Sequence, residues 1–176
     1  MANVSSGCRL GLIFYSRPAF VVAPELLGKL LCRYFDGNET KLRITETECY
    51  YGENDSACHA HKGKTERTRI MYERGGLAYI YLCYGIHNML NIVTGNDNFP
   101  EAVLIRGAGE HNGPGKLTKA LKIDRRLNWE NLIESNNLWI EDDGTKHAFI
   151  TGRRVGITYA SEIDRNRLWR FLSVKE

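Results

Sequence analysis

The chain has 176 residues, 43% hydrophobic and 26% charged, with 24 basic against 21 acidic side chains for a net charge of +3. This composition fits one globular domain with its own core and excludes collagen-like, low-complexity and internally repeated architectures. Five cysteines, an odd number with no C-x-x-C pair, argue against a disulfide framework and for a reducing compartment. The cytoplasm is therefore expected, or the nucleus in a eukaryotic source. No signal peptide and no apolar run of membrane-spanning length is present, so no membrane partner is expected. The mild positive charge permits a nucleic-acid partner without arguing for one.

In chain order, residues 1–8 are polar and expected to be disordered, ahead of one domain over 9–176. Leu26, Leu27, Leu30 and Leu31 form an apolar stripe, and Pro24 suits a first turn, which predicts a short helix over 21–31. Strands are expected at 30–35 and 41–50 around the turn Asp36-Gly37-Asn38. Strand alternation then puts Leu42, Ile44, Glu46 and Glu48 on one face, so an apolar face ends in two carboxylates. Buried carboxylates are costly unless paired, hydrogen-bonded or used. Spacing alone leaves equal room for a structural ion pair. Asn54 or Asp55 is expected to cap a short helix over 57–61.

Residues 61–74 carry Lys62, Lys64, Arg67, Arg69 and Arg74 and suit phosphate contacts, although most charge runs are solvated surface. Residues 77–94 predict a β-hairpin turning at Tyr84-Gly85-Ile86-His87, with Tyr79, Tyr81 and Cys83 on one face. A tip of large side chains is unusual and marks a contact surface. A buried strand over 102–106 places Leu104 and Arg106 on a shared face. Gly113-Pro114-Gly115 opens a helix over 116–123 whose start, with Lys116, suits an anion. It is not a Walker loop, because Glu110 and Leu117 break that motif. A short helix over 129–135 and strands at 138–140 and 149–151 complete the pattern. The fold class expected is α+β: one mixed domain with a curved antiparallel sheet, roll-like or open-barrel-like, flanked by short helices and a protruding hairpin.

The runs I-T-E-T-E-C-Y-Y-G-E-N-D-S-A-C-H, Y-I-Y-L-C-Y-G-I-H-N-M-L-N-I-V, A-V-L-I-R and N-G-P-G-K-L resemble, in order and separation, the alkyladenine (3-methyladenine) DNA glycosylases of the mammalian type. The resemblance spans residues 9–172. It implies a monofunctional, cofactor-free and metal-free enzyme, a monomer, that flips damaged purines from double-stranded DNA and leaves an abasic site. Candidate lesions are 3-methyladenine, 7-methylguanine, hypoxanthine and ethenoadenine. By this resemblance Glu48 matches the general base, while Arg106 and the backbone carbonyl of Val155 match groups that hold the attacking water. Tyr50, His59 and Tyr81 match walls of the base pocket. Asn91 matches a residue that crowds the guanine amino group, and Leu104 joins that pocket. Tyr84 matches a minor-groove wedge. Gly85, Ile86, His87, Arg67, Arg69, Met71 and Lys116 complete the expected DNA contacts. The chain departs from the pattern at Cys49, at Cys58 and in Gly107-Ala108-Gly109. Two other functions use some of the same residues: a metal-dependent hydrolase with Glu46, Glu48, His59 and His61 as ligands, and a non-catalytic nucleic-acid-binding module.

Overall fold

In the computed structural model, residues 7–174 are described. Asp36 and Gly37 both take left-handed backbone, with φ of +50° and +77°. That is the signature of a two-residue type I′ turn, whose twist matches the strands it joins. They are β2 (Leu30–Phe35) and the 14-residue β3 (Asn38–Tyr51). Strand β3 is the axis of the sheet. It pairs with β2 along 38–43, with β10 (Arg170–Ser173) along 46–48, and with β6 (Glu101–Ala108) along 44–51.

Beyond β6 lies the hairpin of β4 (Ala78–Cys83) and β5 (His87–Val93). Strand β8 (Leu138–Asp142) adds to β2, and β1 (Cys8–Arg9) adds to β8. The short β7 (His111–Asn112) and β9 (Phe149–Gly152) pair with β6 and β10. Every pairing is antiparallel and the sheet stays open. Four short helices accompany it among the described residues: α1 (Leu12–Tyr15), α2 (Ala19–Glu25), α3 (Pro114–Ala120) and α4 (Glu162–Asn166). This is the expected α+β class.

Period-two alternation sorts the strands into two faces. Ala78, Ile80, Leu90, Ile92, Val103 and Ile105 join Val22, Ala23 and Leu26 in the main core. Their neighbours Tyr79, Val93 and Ala102, with Tyr50 and Tyr81, form a smaller cluster with Cys58, Ala60, Ile70, Met71 and Tyr72 on the opposite face. One face of the sheet supplies stability, and the other supplies an aromatic wall.

Several expectations need correction. The helix expected over 21–31 is α2, which begins at Ala19, after Pro18, and Pro24 lies near its end rather than in its first turn. The left-handed Gly28 (φ +85°) separates it from β2, so Leu30 and Leu31 are strand residues. No helix forms over 129–135. Trp129 donates to the Ala78 carbonyl and Ala78 to the Glu130 carbonyl, so that backbone covers the edge of β4 instead. The turn at His59–Lys62 is a 3-10 helix, and Asp55 does not cap it. The expected shared face of Leu42, Ile44, Glu46 and Glu48 is broken by register shifts at Ile44/Glu46 and Glu46/Thr47. These switch the pleat, so Leu42 and Ile44 stay in the core with Cys49, and Glu46 and Glu48 turn to the other side. Residues 1–6 of the expected disordered start lie outside the described residues, while Cys8 pairs with Asp142.

Tight backbone approaches hold α1 to the sheet. A Cβ at Gly75 would collide with the Tyr15 carbonyl, which is already fixed by the Gly95 N–H at 2.8 Å. Gly75→Ala should therefore cost about 1–3 kcal/mol, as overpacking typically does. Differential scanning calorimetry should show a Tm lower by about 2–12 °C for a chain of this size.

Candidate active site

Glu48 is fully buried although its carboxylate faces the aromatic side of the sheet. Three donors surround it. The Val155 backbone N–H donates to Oε1 at 2.7 Å, the Tyr50 hydroxyl donates to Oε2 at 2.9 Å, and the Arg106 Nε lies 3.4 Å from Oε1. These donors favour the anion. Burial outweighs them and holds the Glu48 pKa above the ordinary carboxyl value. A carboxylate kept more basic than usual suits proton abstraction.

Arg106 is shared between Glu48 and Glu46. Its Nε donates to Glu46 at 2.8 Å, and Glu46 also accepts from Arg170 Nε at 2.6 Å. Val155 contacts Glu48 through its N–H; the resemblance had singled out its carbonyl.

Above Glu48 opens a cleft of about 550 Å³, lined by Tyr50, His59, Tyr81, Leu104, Arg106 and Tyr159 among others. Tyr81 and His59 meet edge to face with centroids 4.5 Å apart, and Tyr81 lies 5.5 Å from Tyr79. The His59 Nδ1 is bonded to the Tyr79 hydroxyl at 3.0 Å. Burial, and then the nearby Arg67, lower the His59 pKa to about 4, so the ring is neutral at physiological pH. Asn91 donates to the backbone carbonyls of Tyr79 and Met89, which fixes its amide in the wall of a second, smaller cavity behind Tyr79 and Tyr81.

The Tyr50 ring is backed by the Arg154 guanidinium, 4.9 Å away. Arg154 is itself clamped by both oxygens of Asp55, at 2.6 and 2.8 Å, with neither side chain exposed beyond 1%. A bidentate, desolvated pair of this kind fixes geometry.

At the hairpin tip Tyr84 is 86% exposed and Ile86 is 72% exposed. Tyr84 holds left-handed backbone, φ +50°, ahead of Gly85 at +73°. A bulky residue in that region is strained, and such strain gathers at functional sites. His87 packs against Gly115 at the start of α3, and Lys116 is exposed there. Arg67 folds over the Tyr81 ring at 5.0 Å, and Arg69 over Trp129 at 5.0 Å. Met71 is not at the surface. It is 2% exposed and lines the second, smaller cavity with Tyr79 and Asn91.

Among the described residues no group of three His, Cys, Asp or Glu side chains converges to hold a metal. Glu46 is held by two arginines, and His61 Nδ1 is bonded to the Glu53 carbonyl at 2.6 Å. Tyr79, Tyr159, Arg154 and Arg170 had no site role in the sequence, and Asp55 only that of a helix cap. Tyr79 carried a signal, since it shares the strand face of Tyr81. The others lie in turns and short elements without a period to place them.

A model of the methylpurine-DNA glycosylase family matches residues 13–111 and 109–176. The chain belongs to this family and is a DNA glycosylase. Similar proteins include one from Methanocella arvoryzae, 44% identical over 90% of this chain and 88% of its own. Another, from Borreliella afzelii, is 46% identical over 90% and 92%. A third, from Psychrobacter cryohalolentis, is 43% identical over 85% and 84%. Each is assigned by name as a 3-methyladenine DNA glycosylase. No helix among the described residues is long and apolar enough to cross a membrane.

The raised Glu48 pKa has a consequence for stability. The folded state favours the protonated form, so the penalty is absent below the unfolded value and fully felt once pH rises through the folded pKa. Glu48→Gln should therefore raise Tm at pH 7.5, by about 2–4 °C per kcal/mol relieved. The gain should shrink as the pH is lowered toward 4.5, the ordinary glutamate value. Thermal melts of both proteins across that range check it.

Proposed function

We propose that this glycosylase removes alkylated purines, 3-methyladenine foremost, from double-stranded DNA by water attack, and leaves an abasic site. The observation that carries this is Glu48, buried directly behind the aromatic cleft and held by the Val155 N–H and the Tyr50 hydroxyl, two residues that line it. Repair of this kind needs the base outside the stack, because its glycosidic bond is unreachable inside a duplex. Tyr84 would fill the gap that the base leaves, as apolar minor-groove wedges do. Lys116 and Arg69, both exposed, would meet phosphates, whose contacts supply affinity without sequence preference.

A purine alkylated at N3 or N7 is cationic. Such a ring is attracted to the electron-rich faces of Tyr50 and Tyr81. Neutral His59 adds an edge contact without charge repulsion. The chemistry then balances simply. The water oxygen bonds to C1′ of the sugar while the C1′–N bond breaks and its electron pair returns to the purine, which leaves neutral. Glu48 accepts the water proton. The Glu48 anion also stabilises the positive charge that develops on the sugar, as carboxylates do in glycoside hydrolysis. A monomer suffices for these steps.

The test is release of free base from duplexes that carry single 3-methyladenine, 7-methylguanine, hypoxanthine or ethenoadenine residues. Wild-type protein should release 3-methyladenine, and Glu48→Gln should be slower by about 10²–10⁴-fold, the usual contribution of a general base. No released base from any duplex, or full activity in Glu48→Gln, would refute this function.

A further inference from the structure

Glu46 is the least expected member of the site. It sits where β3 and β6 lose register: Ile44 faces Ala108, Glu46 faces Gly107 and Thr47 faces Ile105. Bulges beside active sites re-aim side chains. Here the shift points Glu46 into a nest of two guanidiniums, one from β6 and one from β10. Its Oε1 accepts from Arg106 Nε at 2.8 Å and from Arg170 Nε at 2.6 Å. Arg170 lies opposite Glu48 in the β3–β10 register. All of these side chains are substantially shielded, at 11% exposure for Glu46, 13% for Arg106 and 28% for Arg170.

Arg106 is 3.4 Å from Glu48, through the same Nε that it gives to Glu46. Its two terminal nitrogens donate to no protein acceptor among the described residues, and Arg106 lines the cleft. Without Glu46, Arg106 would be free to close on Glu48 as a bidentate pair, the favoured arginine–carboxylate geometry. A base tied up in this way holds its proton less well and abstracts one less readily.

We propose that Glu46 is a positioning residue: it anchors Arg106 and Arg170 so that Glu48 stays available as the base and the terminal N–H groups of Arg106 face the cleft. The proposal rests on Glu48 being the water-activating group. Charge counting supports it. With Glu48 ionised, the two glutamates balance the two arginines. Removing Glu46 leaves surplus positive charge that favours the Glu48 anion, and removing Arg170 does the reverse. The other groups that face Glu48 are Tyr50 on its own strand, the Val155 N–H, and Tyr159 across the cleft. Arg154 lies behind Tyr50 and is already matched by Asp55. None of these changes in either variant.

The experiment is the pH dependence of single-turnover base release by wild type, Glu46→Gln and Arg170→Gln, with enzyme in excess over a 3-methyladenine duplex. Relative to wild type, Glu46→Gln should move the acid limb to lower pH by about one unit and lower the plateau rate. Arg170→Gln should move the limb to higher pH. A purely structural role would lower rates without moving either limb in opposite directions. If Glu46→Gln does not fold, the upward shift in Arg170→Gln decides the question alone. Wild-type activity with unshifted limbs in the variants, or with limbs shifted the same way, would overturn the proposal while leaving Glu48 as base. Loss of the acid limb from the wild-type profile would instead remove Glu48 from that role, and the proposal with it.

Discussion

The structure depends on one costly placement: a carboxylate buried with three donors that offset only part of the cost of desolvation. Burial alone would drive Glu48 to its neutral form. The Val155 N–H, the Tyr50 hydroxyl and Arg106 return part of that cost, and the residue is a basic pKa. Each donor comes from a different part of the chain, so the strand, the hairpin partner β6 and the loop after β9 must all be in place for the group to exist. The buried Asp55–Arg154 pair serves the same end, because it holds both Tyr50 and the loop that carries Val155. Replacing such a pair with apolar side chains often stabilises a protein. Its presence beneath a pocket wall is consistent with a geometric role.

The two faces of the sheet divide the labour. The face against α2 is filled by aliphatic side chains and contains the largest buried groups. The other face carries tyrosines, a neutral histidine and one fixed amide, and it is left open as a cleft. A rigid core on one side lets the other hold strain, including the left-handed Tyr84 at the exposed tip. Stability and activity trade against each other at Glu48 in the same way.

Much of this was legible in the sequence where a period or a turn signal exists. The Asp36-Gly37 turn, the hairpin over 77–94 and the face of Tyr79 and Tyr81 follow from turn chemistry and alternation. The residues that meet at the cleft came from the resemblance: the structure brings Tyr50, His59, Tyr81, Leu104 and Arg106 to one cavity wall, with Glu48 bonded to Tyr50 behind it. What alternation could not foresee was its own failure at the bulge. A register shift depends on how β3 and β6 pair across some sixty residues, and no local pattern encodes it. The helix expected over 129–135 failed for a related reason, since the edge of β4 competed for its backbone groups. That Met71 turns inward was not legible either, because a short basic stretch gives no sign of which side chain does so.

The most direct test of the central claim measures the Glu48 carboxyl itself in the DNA-free protein. Carbon-detected NMR titration of protein labelled at the glutamate side-chain carboxyls, with Glu48 assigned by its absence in Glu48→Gln, reports its protonation without reference to activity. The account predicts a midpoint clearly above 4.5, the ordinary glutamate value. A midpoint at or below that value would mean that the donors outweigh burial, and would contradict the assignment of Glu48 as a group made unusually basic by its site.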